Sequence, residues 1–169
     1  MNTFSKLQML QKYLPKAALQ PMTPEASSGV PNSMLWQEWI LIHHFPFRVG
    51  RESRVIWRGS RVQRIERPKQ DESEPNNDLY LVDSGELLNI SRKHFQIENR
   101  PEGCFLVDRG SDCGTIVGGE PVGGSEADCT RPLRDGELIV VGEKTSPYVY
   151  RFVSFESCEV VCTQDGVDQ

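Results

Sequence analysis

The sequence predicts an all-β protein, a sandwich or a barrel. Three observations carry that prediction. Short runs rich in Val, Ile, Leu, Phe, Trp and Tyr recur from Leu35 onward. Several of them alternate apolar with polar residues, the pattern of a half-buried strand. Gly, Pro, Asn and Asp punctuate the runs, as tight turns require. At 169 residues the chain is one ordinary domain with room for extra segments, and it can bury a core without disulfides.

The elements follow in order. Residues 1–20 read as a helical extension, because Phe4, Leu7, Leu10 and Leu14 fall on one face at helical spacing, with Pro15 ending or kinking it. That helix either docks on the main domain or serves a partner. Residues 21–34, rich in Pro, Ser and Gly, read as a linker. The β pattern then runs over residues 35–155. "LWQEWILIHH" is strand-like, and "FPFRVG" alternates Phe45, Phe47 and Val49 with polar or small neighbours. "RVIW" and "RVQRI" flank Arg58-Gly59-Ser60, a hairpin signature. "RPKQDESEPNND" is a polar loop, and "LYLV" is a strand. "HFQIE" is the next strand, and "NRPEG" turns it into "CFLVD". "TIV" precedes a Gly118-Gly119 turn, "LRDGE" turns into "LIVVG", and "YVYRFVSF" places Tyr148, Tyr150 and Phe152 on one face. The acidic tail, residues 156–169, is expected to fray.

Composition narrows the function. A net charge of -5 argues against a broad nucleic-acid coat. No apolar run is long enough to cross a bilayer, so no membrane partner is expected. The N-terminus lacks the apolar core and small-residue cleavage site of a secretory leader, which makes the cytoplasm the expected compartment. The 5 cysteines are odd in number and scattered, unlike a disulfide framework. Cys158 and Cys162 form a close pair, but no His stands near enough to complete a zinc site. No metal or cofactor is expected.

Four stretches now line up: "FRVGRE", "NISRKHFQIE", "LVDRGSDCGTIVGG" and "LRDGELIVVG". Their order and spacing resemble a forkhead-associated (FHA) domain. That family's pattern is Gly-Arg at a strand end, then Ser-x-x-His before a strand. A Ser-x-Asn-Gly-Thr loop follows, and an Asp-Gly or Gly-Asp turn enters an apolar strand. The resemblance covers residues 35–155. It implies an eleven-stranded β-sandwich that binds phosphothreonine peptides through loops at one end, without catalysis. The implied partner is a phosphothreonine-containing protein in Ser/Thr kinase signalling.

The residues make chemical sense of that role. Arg51 offers a planar fork of donors matched to two phosphate oxygens, and Gly50 beside it lets the backbone turn unobstructed. Ser91 supplies a hydroxyl, and Arg92 an amide and a second cation. By the resemblance Arg51, Ser91 and Arg92 contact phosphate or peptide, while Gly50, His94, Gly114 and Thr115 support the loops. Taken from the residues alone, His94 could be a phosphate ligand, a general base or a strut. A strut suits its place directly before a strand. The third motif departs from the family: Cys113 stands where the peptide-contacting loop carries its Asn, and Asp112 before it adds a carboxylate to the same peptide-facing loop. A thiol donates and accepts weakly, so lost peptide contacts should cost about 1–3 kcal/mol. Asp112 is expected to point away from the phosphate or to pair with Arg109. Cys113 reads either as a small loop filler or as a redox-sensitive thiol. A threonine methyl entering an apolar niche would add about 0.8 kcal/mol.

Other readings remain open at this stage. Arg54, Arg58, Arg61, Arg64, Arg67 and Lys69 precede Asp71, Glu72, Glu74 and Asp78, forming either a solvated hairpin or a basic flap for acidic partners. Thr23, in "MTPE", is a possible phosphosite. Ser91 and His94 sit three residues apart with no third orienting residue, which is not a catalytic triad. Against the phosphopeptide reader stands a degenerate scaffold that keeps the fold and binds partners independently of phosphorylation. Asp112 and Cys113 motivate it.

Overall fold

The computed structural model describes residues 12–52, 55–58, 61–64, 77–125 and 128–155, with backbone only for 55–58 and 61–64. Eleven strands form two sheets. The first runs in the order β10 (Glu120–Val122), β9 (Thr115–Val117), β12 (Leu138–Val141), β13 (Val149–Ser154), β1 (Ala17–Pro21), β2 (Ile40–Ile42). The second runs β11 (Thr130–Pro132), β8 (Gly103–Asp108), β7 (Phe95–Arg100), β3 (Phe47–Arg51), β6 (Leu79–Leu81). Neighbours are antiparallel except β3 and β6, which run parallel. A separate ribbon pairs β4 (Val55–Arg58) with β5 (Arg61–Arg64).

One core fills the space between the sheets. Tyr148, Tyr150, Phe95 and Phe152 are its largest fully buried side chains. The alternation legible in the sequence is the one that packs: Phe95 and Ile97 are buried while Gln96 and Glu98 are half-buried. Tyr150 and Phe152 do the same on β13.

Three segments differ from expectation. Ala17–Pro21 is a strand, not the end of a helix. Lys12 and Tyr13 have helical backbone, but β1 then pairs with β13 on one side and β2 on the other. Ala is the strongest helix former, yet two ladders and full burial of Ala17, Ala18 and Leu19 outweigh that preference. Residues 1–11, and with them Phe4, Leu7 and Leu10, lie outside the described residues. Residues 21–34 contain a short helix, α1 (Pro24–Ser28), rather than a continuous linker. Thr23 caps it, accepting from the Ala26 amide at 3.2 Å and donating to the Pro147 carbonyl. Phosphorylation of Thr23 would therefore remove the proton it donates to the Pro147 carbonyl. Ala26 and Val30 from this segment join the core. Finally, "LWQEW" folds as a tight turn closed by Trp36 and Trp39, with Gln37 at φ 56, so β2 starts only at Ile40.

Candidate functional site

The site is built where three chain segments meet: the end of β3, the loop entering β7 and the loop leaving β8. Arg51 closes β3. Its amide donates to the Ser91 carbonyl at 2.9 Å and its Nε to the Ile90 carbonyl at 2.8 Å. Both bonds dock the guanidinium on the 90–91 loop. Its two terminal nitrogens have no hydrogen-bond partner among the described residues and remain available to a ligand. Arg51 and Ser91 are thus neighbours at one end of the sandwich.

Gly50 serves a different purpose from the turn anticipated for it. It lies within β3, and a Cβ there would stand 2.1 Å from the Arg92 carbonyl oxygen and 2.6 Å from Asn77 Nδ2. Only the absent side chain lets the 91–93 loop lie this close to the strand. Asn77 fixes the contact, donating Nδ2 to the Arg92 carbonyl at 2.8 Å.

The 83–94 loop is shaped by two buried residues. Asp83 accepts four hydrogen bonds: from the Asn89 amide at 2.6 Å, the Ile90 amide at 2.9 Å, the Gly85 amide at 3.1 Å and the Tyr148 hydroxyl at 2.9 Å. His94 is fully buried. Its Nδ1 accepts from the Ser91 amide at 2.9 Å, which leaves Nε2 to carry the proton and donate to the Gly114 carbonyl at 2.8 Å. The imidazole so joins the two functional loops as a neutral ring. Burial pushes its pKa below the ordinary 6.5, with the Gly114 carbonyl and nearby Asp108, Asp112 and Asp83 opposing.

A pH dependence follows. Between the depressed folded value and the unfolded value of 6.5, the unfolded chain binds the proton more readily. His94 therefore contributes stability that is present above pH 6.5 and declines as pH falls below it. Urea midpoints measured across this range should drop toward acid, and His94→Gln should flatten the slope. An unchanged slope in that variant would remove His94 as its source.

The third segment folds around Asp108. Its carboxylate accepts from the Gly110 amide at 2.8 Å, the Ser111 amide at 3.0 Å and the Ser111 hydroxyl. Ser111 Oγ in turn accepts from the Gly114 amide at 3.0 Å. Gly114 adopts φ 70, a left-handed conformation suited to glycine, and its carbonyl also receives the Gly142 amide at 3.0 Å. Thr115 is buried, and its Oγ1 has no hydrogen-bond partner among the described residues, so it supports the loop by packing.

Asp112, exposed, and Cys113, half-buried, form the rim of this loop. Asp112 neither turns away nor pairs with Arg109. Its amide donates to Ser91 Oγ at 3.0 Å, and that hydroxyl donates back to Asp112 Oδ2 at 3.1 Å. Arg109 instead donates Nη1 to Asn77 Oδ1 at 2.6 Å. Cys113 directs its thiol toward the Leu88 carbonyl at 3.7 Å. Burial raises the thiol's pKa, and Glu143, Asp112 and Asp83 raise it further. The thiol stays protonated at neutral pH, which disfavours the redox reading.

A cleft of about 410 Å³ opens between the loops, lined by Ser91, Arg92, Lys93, Arg109, Gly110 and Asp112. Arg92 and Lys93 project outward, both exposed. Sequence reasoning missed Asp83, Asn77 and Asp108 as architects of the site. Asp83-Ser84-Gly85 and Asp108-x-Gly-Ser carry a local signal, an Asp that accepts from amides two or three residues on. The charged side chains of residues 54–74 proposed as a flap lie outside the described residues. Asp78 is described. It accepts from the Arg48 amide at 2.8 Å and lies 3.3 Å from His44. Among the described residues no group of His, Cys, Asp and Glu could hold a metal ion, and no helix is long and apolar enough to cross a membrane.

The family model for the FHA domain matches residues 47–142. No curated protein matches significantly. Among solved structures, the yeast Pml1 splicing factor is similar at TM-score 0.50 and 16% identity, covering 90% of this chain and 91% of its own. An FHA domain from Chlamydia trachomatis aligns at TM-score 0.44 and 14% identity over 82% of this chain and 97% of that one. The FHA domain of an Arabidopsis thaliana hypothetical protein aligns at 0.46 and 22% over 87% and 93%. At these identities a likeness speaks to fold alone.

Proposed function

The chain belongs to the FHA domain family, whose members in general bind phosphopeptides and are not enzymes, and on that premise we propose that this domain reads a phosphothreonine on a partner protein phosphorylated by a Ser/Thr kinase. One observation supports the reading above others. The Arg51 guanidinium is docked on the loop that presents Ser91, and among the described residues its terminal nitrogens have no partner. A phosphate seated there would receive two charge-assisted bonds from Arg51 and one from the Ser91 hydroxyl. Arg92 supplies an amide and a cation at the mouth, and Asp112 and Cys113 contact the peptide at the opposite rim. His94 and Gly114 hold the two loops at fixed separation. The described cysteines, Cys104, Cys113 and Cys129, are free thiols, which suits a cytoplasmic partner.

Geometry also argues against catalysis by the Ser91–His94 pair. Both imidazole nitrogens are engaged, one by the Ser91 amide and the other by the Gly114 carbonyl. Neither faces the Ser91 hydroxyl, so no base is poised to activate it.

The direct test is a peptide library carrying phosphothreonine, phosphoserine or the unmodified residue at one position, read by titration calorimetry. Tighter binding of the phosphothreonine form supports the proposal. Equal binding of modified and unmodified forms refutes it and favours the scaffold. That second reading has a specific basis, because the Asp112 carboxylate already satisfies the Ser91 hydroxyl. A phosphate must displace this carboxylate and tolerate its charge. Asp112→Asn should therefore tighten phosphopeptide binding about threefold, the scale of an exposed charged contact. Weaker binding in that variant would mean that the carboxylate helps hold the peptide.

A further inference from the structure

The cleft holds more positive charge than one phosphate site needs. Arg92, Lys93 and Arg109 line it, and among the described residues of the lining Asp112 is the one carboxylate. Asp112 is turned to Ser91, not to any of the three. Arg109 is the informative member. It leaves the end of β8 half-buried, and its guanidinium bonds a neutral amide oxygen, Asn77 Oδ1, at 2.6 Å. That amide's nitrogen holds the Arg92 carbonyl at 2.8 Å, so one neutral side chain fixes the guanidinium and the backbone of the other loop together. Burial, and then the nearby positive charge of Arg48, hold the Arg109 pKa below its ordinary value, against attraction from Asp78 and Tyr80. Asp78 is itself engaged by the Arg48 amide and His44. Among the described residues no carboxylate bonds Arg109, and a positioned, partly desolvated cation in that state favours an anionic ligand.

We infer that Arg109, with Arg92 and Lys93, forms a second anion subsite that selects phosphopeptides bearing another acidic group, a carboxylate or a second phosphomonoester, on a residue flanking the phosphothreonine. This inference rests on the phosphopeptide reading above and names the substrate class for it. A peptide is favoured over other polyanions because the cleft is continuous with Ser91, which lines it, and because a net charge of -5 repels extended polyanions.

The test compares three phosphothreonine peptides on the full chain: neutral flanks, one glutamate walked along the flanks, and one phosphoserine walked likewise. Each variant is scored by the ratio of its acidic-flank to neutral-flank affinity, so general losses of binding cancel. The wild-type ratio should exceed about tenfold at the best position, the scale of a charge-assisted contact. The preference should fade with added salt. Arg109→Gln should bring the ratio near unity, Arg109→Lys should keep part of it, and Arg109→Glu should favour a lysine flank. Lys93→Gln, an exposed change, should lower the ratio even if the Arg109 variants fold poorly. A preference for either acidic group supports the subsite and identifies its source. Arg51-dependent binding with no flank preference overturns this inference alone. Phosphate-independent binding of all peptides overturns the reading beneath it. Arg109-dependent retention of single-stranded RNA in place of peptide would reassign the cations and overturn it as well.

Discussion

Arg51→Ala is expected to weaken phosphothreonine-peptide binding by about 100-fold, the largest effect of any single change at the site. The magnitude follows from what the side chain offers. Each hydrogen bond to a charged partner contributes about 1.5–3 kcal/mol, and a bidentate guanidinium–phosphate pair supplies two, so a loss of about 3 kcal/mol, near two orders of magnitude in affinity, is expected. The Nε–H is already committed to the Ile90 carbonyl at 2.8 Å, so the fork is aimed before the ligand arrives and less entropy is lost on binding. Lysine keeps the charge but neither the fork nor the Nε bond, and Arg51→Lys should recover only part of the loss. Loss of the Ile90 contact should itself cost about 1 kcal/mol of stability. A melting curve run beside the calorimetry separates that from the binding effect. Retained affinity in a folded Arg51→Ala protein would place the phosphate elsewhere.

How much of this was legible before the fold was known depends on which physical signal each residue emits. Alternation over "HFQIE" and "YVYRFVSF" is a period-two burial pattern, and those strands pack as read. "FRVGRE" and "NISRKH" mark a strand end and a loop, and the fold brings Arg51 and Ser91 together. β1 was hidden for the opposite reason. Ala17, Ala18 and Leu19 are buried in succession, so no alternation marks the strand, and alanine locally favours a helix. Gly50 was recognised, but not the cause of its need, because the Arg92 carbonyl that rests on it is 42 positions away in the chain. Asp112 offered two plausible directions and took neither, since its partner is a hydroxyl on another loop. Asp83 and Asp108 end apolar runs, where an Asp that accepts from following amides and an Asp that only meets solvent look alike, and Asn77 lies near the end of a polar stretch. Burial separates Asp83 and Asn77 from solvated residues, and local sequence does not encode it for isolated polar residues.

Asp83 carries the largest expected stability effect. Its carboxylate is buried and accepts from two consecutive amides, Asn89 and Ile90, the residues that lead directly into Ser91. Its other oxygen takes the Tyr148 hydroxyl and the Gly85 amide. Tyr148 extends the network by accepting the Ser84 amide at 2.8 Å, so the loop is tied to the core from both ends. Asp83→Ala would strand these donors in a buried setting, and unsatisfied buried donors are more costly than the bonds they replace are favourable. A loss of about 3 kcal/mol in urea denaturation is expected, with phosphopeptide binding reduced in protein that is still folded. Asp83→Asn, similar in shape, should fall between, because its Nδ2 would face amides that also donate. Tyr148→Phe removes one donor to Asp83 and the acceptor of the Ser84 amide, and should cost less. In a double-mutant cycle the Asp83→Ala and Tyr148→Phe effects should be less than additive, since both delete the same bond. Strict additivity would show that the two side chains act independently. If Asp83→Ala proved neutral in stability and in binding, the 83–94 loop would owe its shape to Gly50, Asn77 and His94.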